Sequence, residues 1–328
     1  MLGVGEDAIY SKPLLFGDGL ADPHFAGGHL HPMEVRQRAE SLMILNSTPP
    51  FGFFEPEAAA VGLKFRDRYT AAKPFPHIIL EDFLNKEMLD LCLREFPPID
   101  TSKVSYGRSQ ESLKFEFNPE NVSPAARMLF YSFNSRPFIG FLENLTGISG
   151  LIPDPHFTGG GFHQVNQGGH LDIHADFNCH SELKLERRLN VLIYLNKQWK
   201  KEYGGNFEIW NQTMSKRCLS IEPIFNRCVV FDTSPTSFHG HPEPVNHPAG
   251  LPRRSIALYY YTATWDPSRR VRTTQFKVRP NSRDAFDLRM SLNELSADLV
   301  PPFLIRNVRR LFRFVMTHQH RIPRGTST

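Results

Sequence analysis

The sequence predicts a mainly β fold of the sandwich or jelly-roll type with flanking helices, and three observations support it. Short strand-like segments follow one another between Gly159 and Thr264. Clusters of Gly, Asn and Pro separate them, as is typical of turns between antiparallel strands. Helical patterns are confined to the residues before and after this region, which disfavours a parallel sheet. The predicted strands are Phe162–Asn166, His170–Asp176, Leu189–Leu195, Asn206–Trp210, Arg227–Phe231 and Ser255–Thr262.

We expect three regions along the chain. Residues 1–71 form a partly irregular N-terminal extension, rich in scattered Gly, Pro and His, with one short helix at Met33–Leu45, and the extension either wraps the main domain or is partly mobile. Residues 72–264 form the main domain. Residues 265–328 form a helical C-terminal extension, with helices around Asp284–Leu299 and Leu304–Val315. The last helix has a basic face, and we expect it to pack on its own domain or, alternatively, on an acidic partner or a membrane surface.

The main domain is predicted to begin with a strand and two helical regions. Pro74–Leu80 reads as the strand, and Leu84–Phe96 as a helix with its apolar residues on one face. Ser123 followed by Pro124 combines a helix N-cap with proline at the first helical position. The helix that starts there, with its continuation, is expected to end near Gly147.

Composition excludes several classes of protein. The 328 residues are 40% hydrophobic and 22% charged, which is enough for a large core. A formal net charge of +4 is too small to argue for nucleic acid binding. No apolar run approaches the roughly 18 residues of a membrane span, and the first residues lack a signal-peptide pattern. Four cysteines without a CxxC pair favour free thiols, so we expect a cytoplasmic location.

The segment Gly168–Asn178 carries the chemistry. Residues two apart on a strand point to the same face, so His174 and Asp176 aim an imidazole and a carboxylate at one spot. Ser237-Phe238-His239-Gly240-His241 offers a third ligand, and either histidine could provide it, with the Ser-x-His-Gly context favouring His239. Two histidines and one carboxylate form the facial triad of non-haem Fe(II) oxygenases.

A basic group begins the last predicted strand. Arg253 would be buried there, and a buried guanidinium requires an anion such as the distal carboxylate of 2-oxoglutarate. Ser255, on the same face, adds a hydroxyl donor. The interval of 14 residues after His239 is long. The insert Pro242–Pro252 would therefore have to loop out, and Arg254 remains an alternative anchor.

Together these motifs make the sequence resemble the Fe(II)- and 2-oxoglutarate-dependent dioxygenases, in their prolyl 4-hydroxylase-like branch, over roughly residues 72–264. The succession Tyr-Leu-Asn-x-x-Trp and then Gly-Gly is specific to this branch. The resemblance rests on His174-x-Asp176, Arg188–Trp199, Tyr203–Phe207, Ser237-x-His239-Gly240 and Arg253-x-Ser255.

The resemblance implies a double-stranded β-helix, a cupin-like jelly roll, that binds iron through His174, Asp176 and His239. Arg253 would bind the distal carboxylate of 2-oxoglutarate with help from Tyr194 and Ser255. Gln164 would face the cosubstrate or the substrate. The implied cofactors are Fe(II), 2-oxoglutarate and O2, with ascorbate as a further one.

The implied reaction is hydroxylation of an unactivated C–H bond with release of succinate and CO2. Its substrate would be a prolyl residue, an amino acid or a biosynthetic intermediate, either a small molecule or a peptide. Desaturation and cyclisation stay open, as does the oligomeric state. Halogenases of the superfamily carry Gly or Ala in place of Asp176. Two alternatives are a jelly-roll binding module without turnover and a cupin-like protein that binds another metal.

Substrate specificity is expected in the loops Asp100–Asn121 and Pro242–Pro252. Asn178, His180 and Arg187 flank the predicted centre. Each is equally well explained as a substrate contact or as a solvated loop residue.

Overall fold

A computed structural model of the chain describes residues 43–45, 47–48, 52–53, 55–98, 109–282 and 284. The chain divides into two units, Met1–Leu42 and Met43–Thr328, of which the first lies outside the described residues. The helices predicted at 33–45, 284–299 and 304–315 also lie outside, apart from residues 43–45 and 284, which are not helical. Within the part that is described, no helix is long and apolar enough to span a membrane.

Four α-helices are described, and three of them follow the predictions. Their bounds are α1 Glu55–Thr70, α2 Lys86–Arg94, α3 Pro124–Phe133 and α4 Arg136–Thr146. The Ser123 hydroxyl accepts a hydrogen bond from the backbone N–H of Ala126 at 3.2 Å, which caps α3 as expected. Gly147 ends α4 with a φ of 75°.

Helix α1 lies in the region predicted to be an irregular extension, and it packs against α4. The two backbones approach closely, since a Cβ added at Gly62 would lie 2.3 Å from the Phe141 carbonyl oxygen. The Arg66 guanidinium donates to the Asn144 carbonyl at 2.5 Å. The region before residue 72 therefore contributes a packed element to the same unit as the strands.

The described strands form an antiparallel hairpin of two short strands and one larger antiparallel sheet. The hairpin is β1 Ser47–Thr48 and β2 Gly52–Phe53. The sheet contains β3 His77–Leu80, β4 Glu111–Phe117, β5 Ile152–Pro153, β6 Gly161–Ala175, β7 Glu186–Tyr194, β8 Phe207–Trp210, β9 Arg217–Ile221, β10 Cys228–Asp232, β11 His239–His241, β12 Arg253–Thr262 and β13 Gln275–Phe276. Its order is β3-β10-β7-β12-β6-β11-β8-β9, with β4 and β13 also paired to β6 and β5 to β12.

Strand β6 joins the two halves of this sheet. Its first half pairs with β12, and its second half pairs with β11. Two strands were predicted here, and the structure has one that changes register around Gly168, whose φ is 80°. At Gly169 a Cβ would lie 2.7 Å from the Val165 side chain, so only glycine fits this irregularity. The curled, mainly antiparallel sheet with flanking helices confirms the predicted jelly-roll class.

Alternation along β7 separates the hydrophobic core from the interior of the curled sheet. Leu189, Val191 and Ile193 pack into the large core together with residues of the helices. Asn190 and Leu192 lie on the opposite face and line an internal cavity. The helices thus stabilise one face of the sheet and leave the other free to form a site.

Candidate metal centre

Three potential metal ligands converge at one end of the cavity. His174 lies near the end of β6, Asp176 directly follows that strand, and His239 begins β11. His174 and His239 are Cα partners across the two strands. One ligand atom from each of the three residues lies within 4.8 Å of the others. The ligand set favoured from the sequence is therefore brought together.

Backbone carbonyls fix the tautomer of both histidines. Nδ1 of His174 donates to the Asp172 carbonyl at 2.8 Å, and Nδ1 of His239 donates to the Ser237 carbonyl at 2.8 Å. With the proton on Nδ1, each Nε2 keeps its lone pair, as metal ligation requires. These Nε2 atoms lie 3.6 and 3.5 Å from oxygens of Asp176. Burial lowers the pKa of His239 to about 4, which keeps that ring neutral.

Two residues other than His174 and His239 hold the carboxylate of Asp176 in place. Arg187 Nη2 lies 2.9 Å from Asp176 Oδ2, and Asn190 Nδ2 donates to the same oxygen at 3.3 Å. Burial alone would raise the pKa of Asp176, but Arg187 and the two histidines hold it well below its usual range. The guanidinium is stacked between the rings of Phe177 and Tyr259, at 4.2 and 3.7 Å from their centroids. Arg187 is thus part of the centre and not a solvated loop residue.

The other two flanking residues have structural roles in the described part of the chain. Asn178 binds the backbone of the segment that follows β12: its side chain donates to the Arg270 carbonyl at 3.1 Å and accepts from the Arg272 N–H at 2.8 Å. His180 is buried, with Nε2 3.5 Å from Asp154 Oδ1. Neither lines the cavity.

A second set of polar side chains, apart from the three potential metal ligands, lines the cavity. The cavity has a volume of about 230 Å³. Arg253 and Ser255 line it, and Arg253 is only 4% exposed. Nε of Arg253 donates to the Gly205 carbonyl at 2.8 Å, and its guanidinium carbon lies 5.0 Å from the Tyr194 ring centroid. The Tyr194 hydroxyl is buried beside the Arg253 guanidinium. A buried cation beside a buried hydroxyl fits a carboxylate ligand.

The structure distinguishes between the alternatives left by the sequence. His241 lines the cavity but does not belong to the group of three ligands. Arg254 lies outside the cavity, with its guanidinium 4.6 Å from the Phe96 ring centroid. The Pro242–Pro252 insert does not loop out entirely, because the backbone of Val245 pairs with Gly168 and Gly169.

The expectation that Gln164 faces the cosubstrate or the substrate is corrected. Its side chain donates to Asn166 Oδ1 at 2.9 Å and accepts from Arg254 Nε at 2.9 Å. The neighbours on either side, His163 and Val165, line the cavity instead. Successive residues of a strand point to opposite faces, so Gln164 is turned away.

Strands β4 and β13, which were not predicted from the sequence, complete the cavity wall. Glu111, Lys114 and Glu116 of β4 line it on one side. Thr274 and Phe276, in and beside β13, line it near the metal ligands, and the Phe276 ring centroid lies 5.4 Å from that of His174. Polar and apolar residues alternate in Ser112–Phe117, and this alternation was the available signal for β4.

Comparisons with known proteins agree with this geometry. Residues 160–261 match the family model of the 2OG-Fe(II) oxygenase superfamily. Two curated relatives are the prolyl 3-hydroxylase OGFOD1 of Xenopus laevis, 25% identical over 198 residues, and that of Mus musculus, 22% identical over 201 residues. Each match covers 57% of this chain and about a third of the relative, 35% and 33% respectively.

Among solved structures, a Pseudomonas putida prolyl-4-hydroxylase matches 61% of this chain and 98% of its own, with 15% identity and a TM-score of 0.43. A Trichoplax adhaerens prolyl hydroxylase, in complex with a hypoxia inducible factor peptide fragment, matches 63% and 91%, with 16% identity and a TM-score of 0.44. The family match to residues 160–261 confirms the resemblance to Fe(II)- and 2-oxoglutarate-dependent oxygenases, and with it Fe(II) and 2-oxoglutarate as the expected cofactor and cosubstrate.

Proposed function

We propose that this chain is an Fe(II)- and 2-oxoglutarate-dependent oxygenase of the hydroxylase type, with His174, Asp176 and His239 as the iron ligands. The observation that carries the proposal is the buried group of three ligand atoms within 4.8 Å of one another, in a cavity that Arg253 also lines. This donor set is the facial triad that leaves metal positions open for a bidentate cosubstrate and dioxygen.

The residues present fit the metal and its cosubstrate. Fe(II), when bound with 2-oxoglutarate, supplies the O2 activation that inserts oxygen into a C–H bond and releases succinate and CO2. His174 and His239 offer neutral Nε2 atoms, while Asp176 stays ionised beside Arg187. These contacts hold the three ligands in place before the metal binds.

Arg253, Ser255 and Tyr194 bind the distal carboxylate of 2-oxoglutarate. The hydrogen bond from Arg253 Nε to the Gly205 carbonyl orients the guanidinium. On β12 and β7, Ser255 and Tyr194 are Cα partners, so their side chains lie on the same face beside Arg253. Charge-assisted hydrogen bonds to a carboxylate would stabilise the buried cation of Arg253.

The substrate is a prolyl residue, an amino acid or a biosynthetic intermediate. Prolyl hydroxylases among the relatives support a prolyl substrate, and the peptide held by the Trichoplax adhaerens enzyme supports a peptidyl one. Phe276 and Leu192 line the cavity, and their apolar side chains would limit the access of water to a bound substrate.

We also propose a domain organisation, a cellular location and a set of partners for the chain. The oxygenase domain covers residues 72–264, between an N-terminal extension of residues 1–71 and a C-terminal extension of residues 265–328. A cytoplasmic location is supported by four free cysteines, Cys92, Cys179, Cys218 and Cys228. Ascorbate assists turnover, and nucleic acid is not a partner, as the small net charge supports.

The test is anaerobic binding of Fe(II) and 2-oxoglutarate, followed by succinate release in air. We expect a visible metal-to-ligand charge-transfer band that is lost in His174→Ala and Asp176→Ala. Arg253→Ala should raise the Kd for 2-oxoglutarate about 10- to 100-fold, whereas Arg254→Ala, next to it but outside the cavity, should not. Folded protein that shows no band and no succinate would instead be a binding module without turnover.

A further inference from the structure

One wall of the cavity carries charged groups that the proposed mechanism does not use. Glu111, Lys114 and Glu116 of β4 line the same cavity as the metal ligands. Lys114 Nζ donates to Glu111 Oε1 at 2.7 Å and to Glu116 Oε1 at 2.6 Å. Glu111 and Lys114 are only 8% and 9% exposed, and Glu116 is partly buried. We call these three residues the β4 wall.

The β4 wall has one more carboxylate than it has ammonium groups. The other cations of the cavity already have a use, because Arg187 pairs with Asp176 and Arg253 lies where the cosubstrate carboxylate binds. Burial alone would raise the pKa of Glu116, but Lys114 beside it holds the pKa below its usual value, so the carboxylate stays charged. A buried charge without a counter-charge is costly. A ligand that brings a positive charge would remove this cost.

The carboxylates of the wall are acceptors only. Each uses Oε1 to accept a hydrogen bond from Lys114. An ionised carboxylate has two oxygens with several lone-pair sites, and a protonated amine has N–H donors and no acceptor, so the two groups are complementary.

His241 supplies a second, independent indication of a ligand. It is 4% exposed and lines the cavity, yet its Nδ1 is buried without a hydrogen-bond partner in the described chain. Leu171 of β6 is the Cα partner of His241 on one side and of Glu111 on the other. His241 and Glu111 therefore flank the same residue across three strands. The unpartnered ring nitrogen there can form a hydrogen bond with a ligand N–H.

We propose that Glu111, Glu116 and His241 bind the protonated amine of a small substrate, such as a free amino or imino acid. The inference rests on the proposed function, because it names the substrate of that same site. The cavity of about 230 Å³ and the position of Phe276 beside the metal ligands favour a small molecule over a polypeptide. A capped prolyl peptide carries no positive charge, so it would leave the excess negative charge of the β4 wall without a counter-charge.

The first experiment compares charged and capped substrates with the full chain loaded with Fe(II) and 2-oxoglutarate. The probes are the free L-amino acids, a set of polyamines and amino sugars, the Nα-acetyl amino acids with uncharged side chains, and a prolyl tripeptide blocked at its N-terminus. We expect one or more free amines to raise succinate release above the rate without substrate, and their acetylated forms to fail. The proposal is overturned if no amine does so, or if the blocked peptide couples as well as the amines do.

The second experiment removes one charge of the wall. Glu116→Gln should raise the KM for the active amine about 10- to 100-fold, the range for a charged hydrogen bond, while the Kd for 2-oxoglutarate stays unchanged. Glu120→Gln, an exposed change nearby, is the control and should alter neither value. An unchanged KM in Glu116→Gln overturns the amine site and leaves the oxygenase intact. If the unmodified protein does not bind 2-oxoglutarate, the proposed function itself is overturned.

Discussion

Arg187 Nη2 lies 2.9 Å from Oδ2 of Asp176, and at this end of the cavity Arg187 is buried and Asp176 is partly buried. The guanidinium is clamped between two aromatic rings, so it has little freedom to turn. A carboxylate held by such a partner keeps its charge and its orientation whether or not a metal is bound. The metal centre therefore depends on a residue that follows Asp176 by eleven positions and lies on the next strand, β7.

Replacing this guanidinium should impair the centre without removing a ligand. Lysine at position 187 keeps the charge but cannot stack between the rings or hold the planar geometry. We expect Arg187→Lys to lower kcat/KM for succinate formation about 10- to 100-fold, the range for loss of an outer-shell partner of a metal ligand. Arg188→Lys, next to it in β7 but not among the residues that line the cavity, should retain normal kinetics. Equal losses in both variants would contradict this role for Arg187.

A methyl group at Gly205 should disturb the cosubstrate anchor. Gly205 has a φ of 64°, and an added Cβ would lie 2.9 Å from Cδ of Arg253. Gly250 has a similar φ of 67° but open space around it. Both alanine variants should lose about 1 kcal/mol of stability from the left-handed backbone. Only Gly205→Ala should raise the Kd for 2-oxoglutarate, by about tenfold, in titrations of the charge-transfer band.

Removing the ammonium of the β4 wall should destabilise the fold. Lys114→Met leaves Glu111 and Glu116 as neighbouring carboxylates with no cation between them. We expect the free energy of unfolding to fall by about 3–5 kcal/mol, as when one partner of a buried ion pair is lost. Chemical denaturation measures it, with Lys201→Met on the surface as the control. A loss below about 1 kcal/mol, the usual size for an exposed pair, would show that the wall is screened by water.

Asp232 should make stability depend on pH. Burial raises its pKa to about 6, above the value near 3.9 of an unfolded chain. Protonation therefore favours the folded state, and the charged side chain reduces stability as pH rises from about 4 to above 6. Asp232→Asn should stabilise the protein by on the order of 1–2 kcal/mol at pH 8 and by nothing near pH 3, as measured in urea. Asp67→Asn, on the exposed face of α1, is the control, and it tests whether removing any carboxylate stabilises the protein at pH 8. An equal gain at both pH values would contradict the assignment.

The pairing of His174 with Asp176 in the proposed metal site was within reach of the sequence because it depends on local geometry. His174 and Asp176 are two apart on a strand, and the alternation of a strand alone puts them on one face. The strands of β7, β8, β10 and β12 were predicted because they are apolar and bounded by turn residues. Strand β4 was missed because the segment Asp100–Asn121 was assigned to a loop, although polar and apolar residues alternate in it. Only the structure shows that its charged residues face the internal cavity while Leu113 is exposed.

Other features were decided only when strands came together. His239 and His241 have the same strand alternation, and the choice between them depends on a register shift between them in the pairing of β11 with β6. Arg253 and Arg254 are adjacent, and the pairing of β12 with β6 and β7 turns only Arg253 into the cavity. The sequence by itself determined which residue types and which local spacings could bind Fe(II) and 2-oxoglutarate. The tertiary structure decided which of them face the site, because register between strands distant in the chain is set by packing and not by local pattern.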